Sequence, residues 1–405
     1  MRDRPMPDPT PPGSGDRGAG VGRVFLRLGM TSFGGPVAHL GFFRTEFVER
    51  RRWLGEARYA DLVALAQFLP GPASSQVGMG IGLQRAGITG AVRAWLGFTL
   101  PSAVVLVGAG MAVGAGVAVP TGVAAGLKVA AVAVVAQAVV LMARSLCAGW
   151  LLALIAVASA AAVLLVPTVW MPSVVLIAAA AAGLVLVRGA GGGARAPGES
   201  WTGPTLRRWV SPAALISFVV LLVGLPLVAR AWPSEGLVLV AGFYRAGALV
   251  FGGGHVVLPM LEEVVVGTGA VSQADFVAGY GLANAVPGPL FTFAGYLGAA
   301  AGGVGLGIAA IIAIFLPGFL LVVGVLGHWH RLAGDARVRR ALVAVNAAVV
   351  GLLGAALYDP VWTSGITGWS EFVLASGAFL ALLRLRVAPH VVVGVCALLG
   401  WALLG

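Results

Sequence analysis

Two Pro-Gly-Pro tripeptides interrupt apolar stretches of this chain, and polar side chains gather around both. In "ALAQFLPGPASSQVG" (64–78), Pro70-Gly71-Pro72 is followed at once by Ser74, Ser75 and Gln76. In "GLANAVPGPLFTFAG" (281–295), Asn284 precedes Pro287-Gly288-Pro289 and Thr292 follows it. Two further breaks are glycine-rich. Thr31 and Ser32 precede Phe33-Gly34-Gly35-Pro36 with His39 just beyond, and Phe251-Gly252-Gly253-Gly254 runs into His255. Pro72 and Pro289 lack an N–H and clash with a preceding helical turn, so a helix stops there. Proline also suits the first position of the next helix. Each break therefore starts a half-helix whose unpaired N–H groups and partial positive charge favour an anion. Glycine lets the backbone approach such a ligand closely. Together the four breaks could receive a tetrahedral dianion; singly, each Ser or Thr serves equally as a cap for freed backbone groups.

The elements that carry these breaks are membrane helices. Of 405 residues, 59% are hydrophobic and 10% charged, and the mean hydropathy is +0.97. A soluble domain could not hide that much apolar surface. The apolar runs are continuous and roughly 20 residues long, enough to cross the hydrocarbon as helix, and they lack the short alternation of an outer-membrane barrel. An all-α polytopic membrane protein is expected. The formal charge of +11 comes almost wholly from arginine, Lys128 being the only lysine. These arginines sit in short loops between apolar runs, which points to cytoplasmic anchoring and not to nucleic acid.

The chain matches itself. "SFGGPVAHL" (32–40) pairs with "VFGGGHVVL" (250–258), "LPGP" (69–72) with "VPGP" (286–289), and "FTLPSAVVLV" (98–107) with "IFLPGFLLVV" (314–323), in the same order. The expected organisation is a disordered cytoplasmic tail (1–22), a first repeat (23–188), a cytoplasmic linker with one connecting helix (189–234), and a second repeat (235–405). Later runs are placed at 88–118, 121–145, 147–166 and 170–188, then 302–327, 338–357, 368–386 and 388–404, with 211–230 between the halves. Basic connections at Arg85/Arg93, Arg144, Arg188/Arg195/Arg207/Arg208, Arg331/Arg337/Arg339/Arg340 and Arg384/Arg386 share the cytoplasmic side if each run crosses once. The segment 42–58 holds Arg44, Arg50, Arg51, Arg52 and Arg58, whereas 260–275 holds three acids and no base. That asymmetry is explained if the FGGP and PGP segments enter and return on the same side, and if the odd helix turns the second half over. Inverted-topology repeats with broken, re-entrant helices follow, a layout common in secondary transporters. One half is then expected to rock against the other.

Other polar residues read plainly. Glu46 with Arg50, and Glu49 with Arg52, have the spacing of helical ion pairs. Asp61 and Asp275 open the PGP segments as helix caps. His39 and Glu46 are the candidates for proton coupling. Cys147 and Cys396 have no metal-ligand spacing, no nucleophile constellation stands out, and no glycine run is followed by the Lys-Ser/Thr of a nucleotide loop. No cofactor, metal or catalytic residue is implied.

The stretches "SFGGPVAHLGFFRTEFVERRRWL", "YADLVALAQFLPGPASSQVGMGIG", "FGGGHVVLPMLEEVVV" and "FVAGYGLANAVPGPLFTFAG" resemble the two halves of the bidomain chromate ion transporter family. The resemblance covers nearly all of the chain beyond the tail. It implies a multi-pass carrier of the bacterial plasma membrane that expels chromate and confers resistance, with sulfate as the structural mimic. It carries functional expectation onto Gly34, Gly35, Pro36, His39, Arg44, Glu46, Pro70, Gly71, Pro72 and Gln76, and onto Gly252, Gly253, Pro287, Gly288 and Pro289. Gly254-His255 stands where the first half has Pro36-Val37, so the halves are not equivalent and either could dominate substrate contact. Partners implied are chromate or sulfate and the lipid bilayer. The abundant Gly and Ala permit close packing within one chain as readily as in a homodimer.

Overall fold

The computed structural model describes residues 17–33, 35–117, 120–166, 168, 171–187, 207–250, 257–326, 329 and 335–404, all helices and connections. α1 (Arg17–Thr31) is followed by α2 (Gly35–Phe43), which continues as a π-helical segment, Arg44–Arg50. α3 (Glu56–Phe68) leads through Pro70-Gly71-Pro72 into α4 (Ala73–Gly114). α5 (Thr121–Leu146), α6 (Trp150–Leu165) and α7 (Met171–Leu186) complete the first half. α8 (Val210–Ala231) connects to α9 (Glu235–Leu249), α10 (Val257–Val265), α11 (Gln273–Ala285) and α12 (Phe293–Val325). α13 (Ala336–Ala356), α14 (Trp369–Leu383) and α15 (Pro389–Leu403) end the second half. α1 begins inside the stretch assigned by composition to a disordered tail, because Gly22 packs against the main chain and side chain of Arg93 and its carbonyl fits the surface of Gly97. Tertiary packing overrides a glycine-rich local sequence there.

The first half is a series of reversals. Phe25 of α1 touches Phe43 and Phe47 beyond the break at Ser32–Phe33, so α2 runs back along α1. Leu62 of α3 packs on Gly80, so the next pair reverses at the PGP tip. α4 is two helices, α4a (73–85) and α4b (88–114), because Ala86 and Gly87 leave helical geometry, Gly87 with φ +65. A Cβ on Gly82 would strike the carbonyl of Gly90, an approach a straight helix cannot make over eight residues. α12 repeats the device: α12a (293–301) and α12b (304–325) meet at Gly302-Gly303, Gly303 with φ +76, and Gly298 lies against the Leu306 carbonyl.

Packing also fixes which ends coincide. Arg51 and Arg85 both place their guanidinium carbons over Trp53, at 5.7 and 5.2 Å from the ring centre. The α2–α3 connection and the α4 reversal therefore share one end of the molecule, here the basic end. Gly110 and Gly114, at the far end of α4b, lie against Tyr296, Ala299 and Ala300 just before the α12 reversal. The α4 and α12 reversals thus stand about 40 Å apart at opposite ends of α4b, at 1.5 Å per residue.

The halves interlock. α5 is gripped by α14 and α15 of the second half, and α13 by α6 and α7 of the first. Gly126 and Gly400 pack backbone to backbone, as do Gly351 and Ala156. Close glycine contacts of this kind let the helices of the two halves pack tightly against each other.

Candidate functional site

All the described tips converge near the middle of α4b and α12b. The Gly71 N–H donates to Val250 O at 2.7 Å, and the Gly288 N–H donates to Ser32 O at 3.0 Å. Each PGP glycine is thus tied to the carbonyl just before the glycine break of the other half. Gly71 faces Gly318 of α12b, and Gly288 faces Phe98 and Ser102 of α4b. The backbone requires glycine at both places, with φ +122 and +108.

The first half holds the unspent polar groups. His39 is fully buried, with Nε2 3.2 Å from Ser32 O and Nδ1 3.3 Å from Ser74 Oγ. Ser32 O can only accept, so Nε2 donates to it, which makes that carbonyl a shared acceptor for His39 and Gly288. Gln76 Nε2 donates to Pro70 O at 2.8 Å and fixes the first PGP tip. Ser32 Oγ, Ser75 Oγ, Gln76 Oε1 and Thr99 Oγ1 are buried with no hydrogen-bond partner among the described residues. Pro72 caps α4a without a side-chain bond, leaving the first amides of that half-helix for other acceptors.

The second half is self-satisfied by comparison. Thr292 Oγ1 donates back to Pro289 O at 2.6 Å, and Asn284 Nδ2 to Tyr280 O at 2.8 Å. A short 3₁₀ turn, Leu290–Thr292, precedes α12 where α4a starts directly. Gly34, Gly252, Gly253, Gly254 and His255 lie outside the described residues.

A cavity of about 670 Å³ beside α8 and α9 contains the Arg245–Glu263 pair, whose charges offset each other at 2.5 Å. A second cavity, of about 430 Å³, reaches the tips themselves: Phe33, Gly35 and Pro36 form one wall, and Asn284 and Gly288 another. Leu141 and Met142 of α5 line its outer part, so it extends toward the basic end. Gln137 and Arg386 also line it. The sequence showed them only as an isolated polar residue and a loop base, because neither belongs to a break. Among the described residues, no carboxylate lines this cavity.

Two expected substrate contacts, Arg44 and Glu46, are engaged in ion pairs. Arg44 pairs with Glu49 at 2.5 Å and Glu56 at 2.8 Å, and its hydrogen bond holds the Glu56 carboxyl below its ordinary range. Glu46 accepts from Arg50 Nη1 at 3.2 Å and Arg51 Nε at 2.6 Å. Both lie at the basic end, a helix length from the tips, where arginine-rich sequence makes ion pairing the natural outcome. The Glu46–Arg50 pair forms as spaced, while Glu49 takes Arg44 in place of Arg52. Asp275 sits in a capping arrangement with Ser272, whereas Asp61 falls inside α3, whose cap is Gly55. Thr31 Oγ1 bonds its own helix at Arg27 O and does not face the tips.

Residues 19–184 and 237–401 each match the chromate transporter family, and the chain belongs to that family. It is similar to a chromate transport protein of Pseudomonas aeruginosa, 28% identical over 93% of this chain and 90% of the relative. A probable chromate transport protein of Synechococcus elongatus is 29% identical over 83% and 82% of the two chains. A chromate transport protein of Cupriavidus metallidurans is 28% identical over 82% and 80%. No solved structure matches this chain.

Proposed function

We propose that this chromate transporter family member exports chromate from the cytoplasm across the plasma membrane as a secondary transporter, and so confers chromate resistance. The observation that carries this reading is the cavity running from the basic end to the tips, with no carboxylate among its described lining residues. By the positive-inside rule that end is cytoplasmic, which makes the two halves inverted repeats and the cavity an inward-facing vestibule. The dianion binds at the tips, where half-helix amides, Ser32, Ser75 and Gln76 supply donors and glycine admits the oxygens closely. Transport alternates exposure of this site by moving a body built from both halves.

No nucleotide-binding element appears in the sequence, so the membrane potential or an ion gradient supplies the energy. With the interior negative, expelling a dianion gains about 4.6 kcal/mol per 100 mV, from roughly 2.3 per elementary charge. Export therefore needs no coupled ion. The second reading is a sulfate or other anion transporter, or an anion channel, on the same scaffold, because chromate and sulfate share charge and shape. Uptake into everted membrane vesicles tests both. Saturable chromate uptake that sulfate inhibits supports the exporter; conductance without saturation favours the channel; sulfate uptake without chromate uptake moves the substrate.

A further inference from the structure

We infer that Arg386, outside every repeated motif, is the residue that captures the anion in the cavity that reaches the tips and sets its apparent affinity. The inference rests on the transport reading above and adds a residue to it.

Three observations place it there. First, among the described residues Arg386 is the only charged side chain lining the 430 Å³ cavity. Among the described residues it has no carboxylate partner, in contrast to Arg245, which is paired with Glu263. An uncompensated guanidinium in a cavity with no carboxylate among its described lining residues raises the local concentration of anions and offers them a planar fork of donors.

Second, Arg386 has φ +54, the left-handed region that glycine ordinarily fills where a helix ends. The Val387 N–H closes on Ala381 O at 3.1 Å as the chain leaves α14. A bulky residue there is strained, and strain of this kind concentrates at functional sites. The only other non-glycine residue with positive φ, among the described residues, is Arg52, which sits at a corresponding loop position to Gly269 of the second half. Its conformation therefore belongs to the turn, whereas Arg386 occupies a helix exit.

Third, the adjoining surface favours negative charge as well. Ala388 and Pro389, which open α15, line the same cavity, so the positive end of that helix faces it. His390 lies against Phe33 of the first tip with ring centres 4.1 Å apart and the rings tilted by 40°, and its Nδ1 is buried with no partner among the described residues. The start of α15 and the first tip are thus in direct contact.

The test uses Arg386→Gly, Arg386→Lys and Arg386→Glu in the full-length protein. Glycine is what this backbone prefers, so the first variant removes the guanidinium and relieves the strain together. Chromate uptake into everted vesicles should show KM raised about tenfold in Arg386→Gly with maximal rate retained, an intermediate KM in Arg386→Lys and a higher one in Arg386→Glu. Titration of the purified protein with chromate should weaken in the same order. Wild-type KM and binding in both Arg386→Gly and Arg386→Glu would overturn the inference and leave the transport reading intact. A reduced maximal rate at unchanged KM would overturn it too, since that reports a role in movement and not in capture. If wild-type protein neither binds nor transports chromate or sulfate, the transport reading falls and the inference with it.

Discussion

Gly71 donates its amide to the carbonyl of Val250, and the pair has a counterpart of opposite sense in Gly288 and Ser32. The two bonds bind each PGP tip to the other half's glycine break at the centre of the protein. They leave a peptide carbonyl, Ser32 O, shared by Gly288 and His39. The candidate anion site and the junction between halves are therefore one structure.

Both PGP glycines should be irreplaceable. A Cβ at Gly71 would sit 2.9 Å from Gln76 Nε2 and 3.3 Å from Gly318 Cα; at Gly288 it would sit 2.8 Å from Ser102 Oγ. Added to the left-handed strain of about 1–2 kcal/mol, Gly71→Ala and Gly288→Ala are expected to lower the thermal midpoint and abolish vesicle uptake. A thermal scan of the purified variants beside the uptake assay checks this.

His39 should act as a positioning residue. It links Ser32 O to Ser74 Oγ, and removing it strands a buried hydroxyl and loosens the carbonyl that holds Gly288, at about 1–3 kcal/mol. His39→Ala should lose most uptake. His39→Gln, which can still donate, should keep much of it with an unchanged pH profile. A flattened pH profile in His39→Gln would instead make His39 a proton carrier.

The α4 reversal should separate space from conformation. Gly82 has no room for a Cβ, whereas Gly87 has open space and only a positive φ to satisfy. Gly82→Ala should fail to accumulate as folded protein. Gly87→Asn, which tolerates the left-handed region, should lose no more than about 1 kcal/mol. Fluorescence-detected size exclusion of both variants distinguishes them.

The α2–α3 and α10–α11 connections should face opposite sides of the membrane. Arg52→Cys and Thr268→Cys, made in a background lacking Cys147 and Cys396, should label with a membrane-impermeant reagent from the cytoplasmic and external sides respectively. Labelling from one side would remove the inverted arrangement while leaving the fold described here.

The interlocked helices predict that the halves hold together without a covalent link. Co-expressed fragments 1–200 and 201–405 should co-purify, because α5 and α13 are each enclosed by helices of the other fragment. Fragments that separate in mild detergent would contradict the packing.

Much of the architecture is legible in the order of the amino acids. Continuous apolar runs named the helices, and α4b, α5, α8, α12b and α13 fall within a few residues of the runs that announce them. Pro-Gly-Pro and the glycine breaks named the tips, since lost N–H groups and positive φ are properties of single residues. The self-match exposed the repeat, and arginine placement predicted a fold in which segments enter and return. How distant segments meet is set by packing and cannot be read locally. Nothing local tells α5 to pack between α14 and α15 of the other half, or ties Gly71 to Val250. Arg44 and Glu46 carry the family motif yet end in ion pairs at the basic end, because a position along a helix fixes height, and only packing against neighbours fixes what lies at that height. Arg386 shows the converse. In the sequence it is one loop arginine among many, and it gains meaning from a cavity whose walls come from four separated parts of the chain.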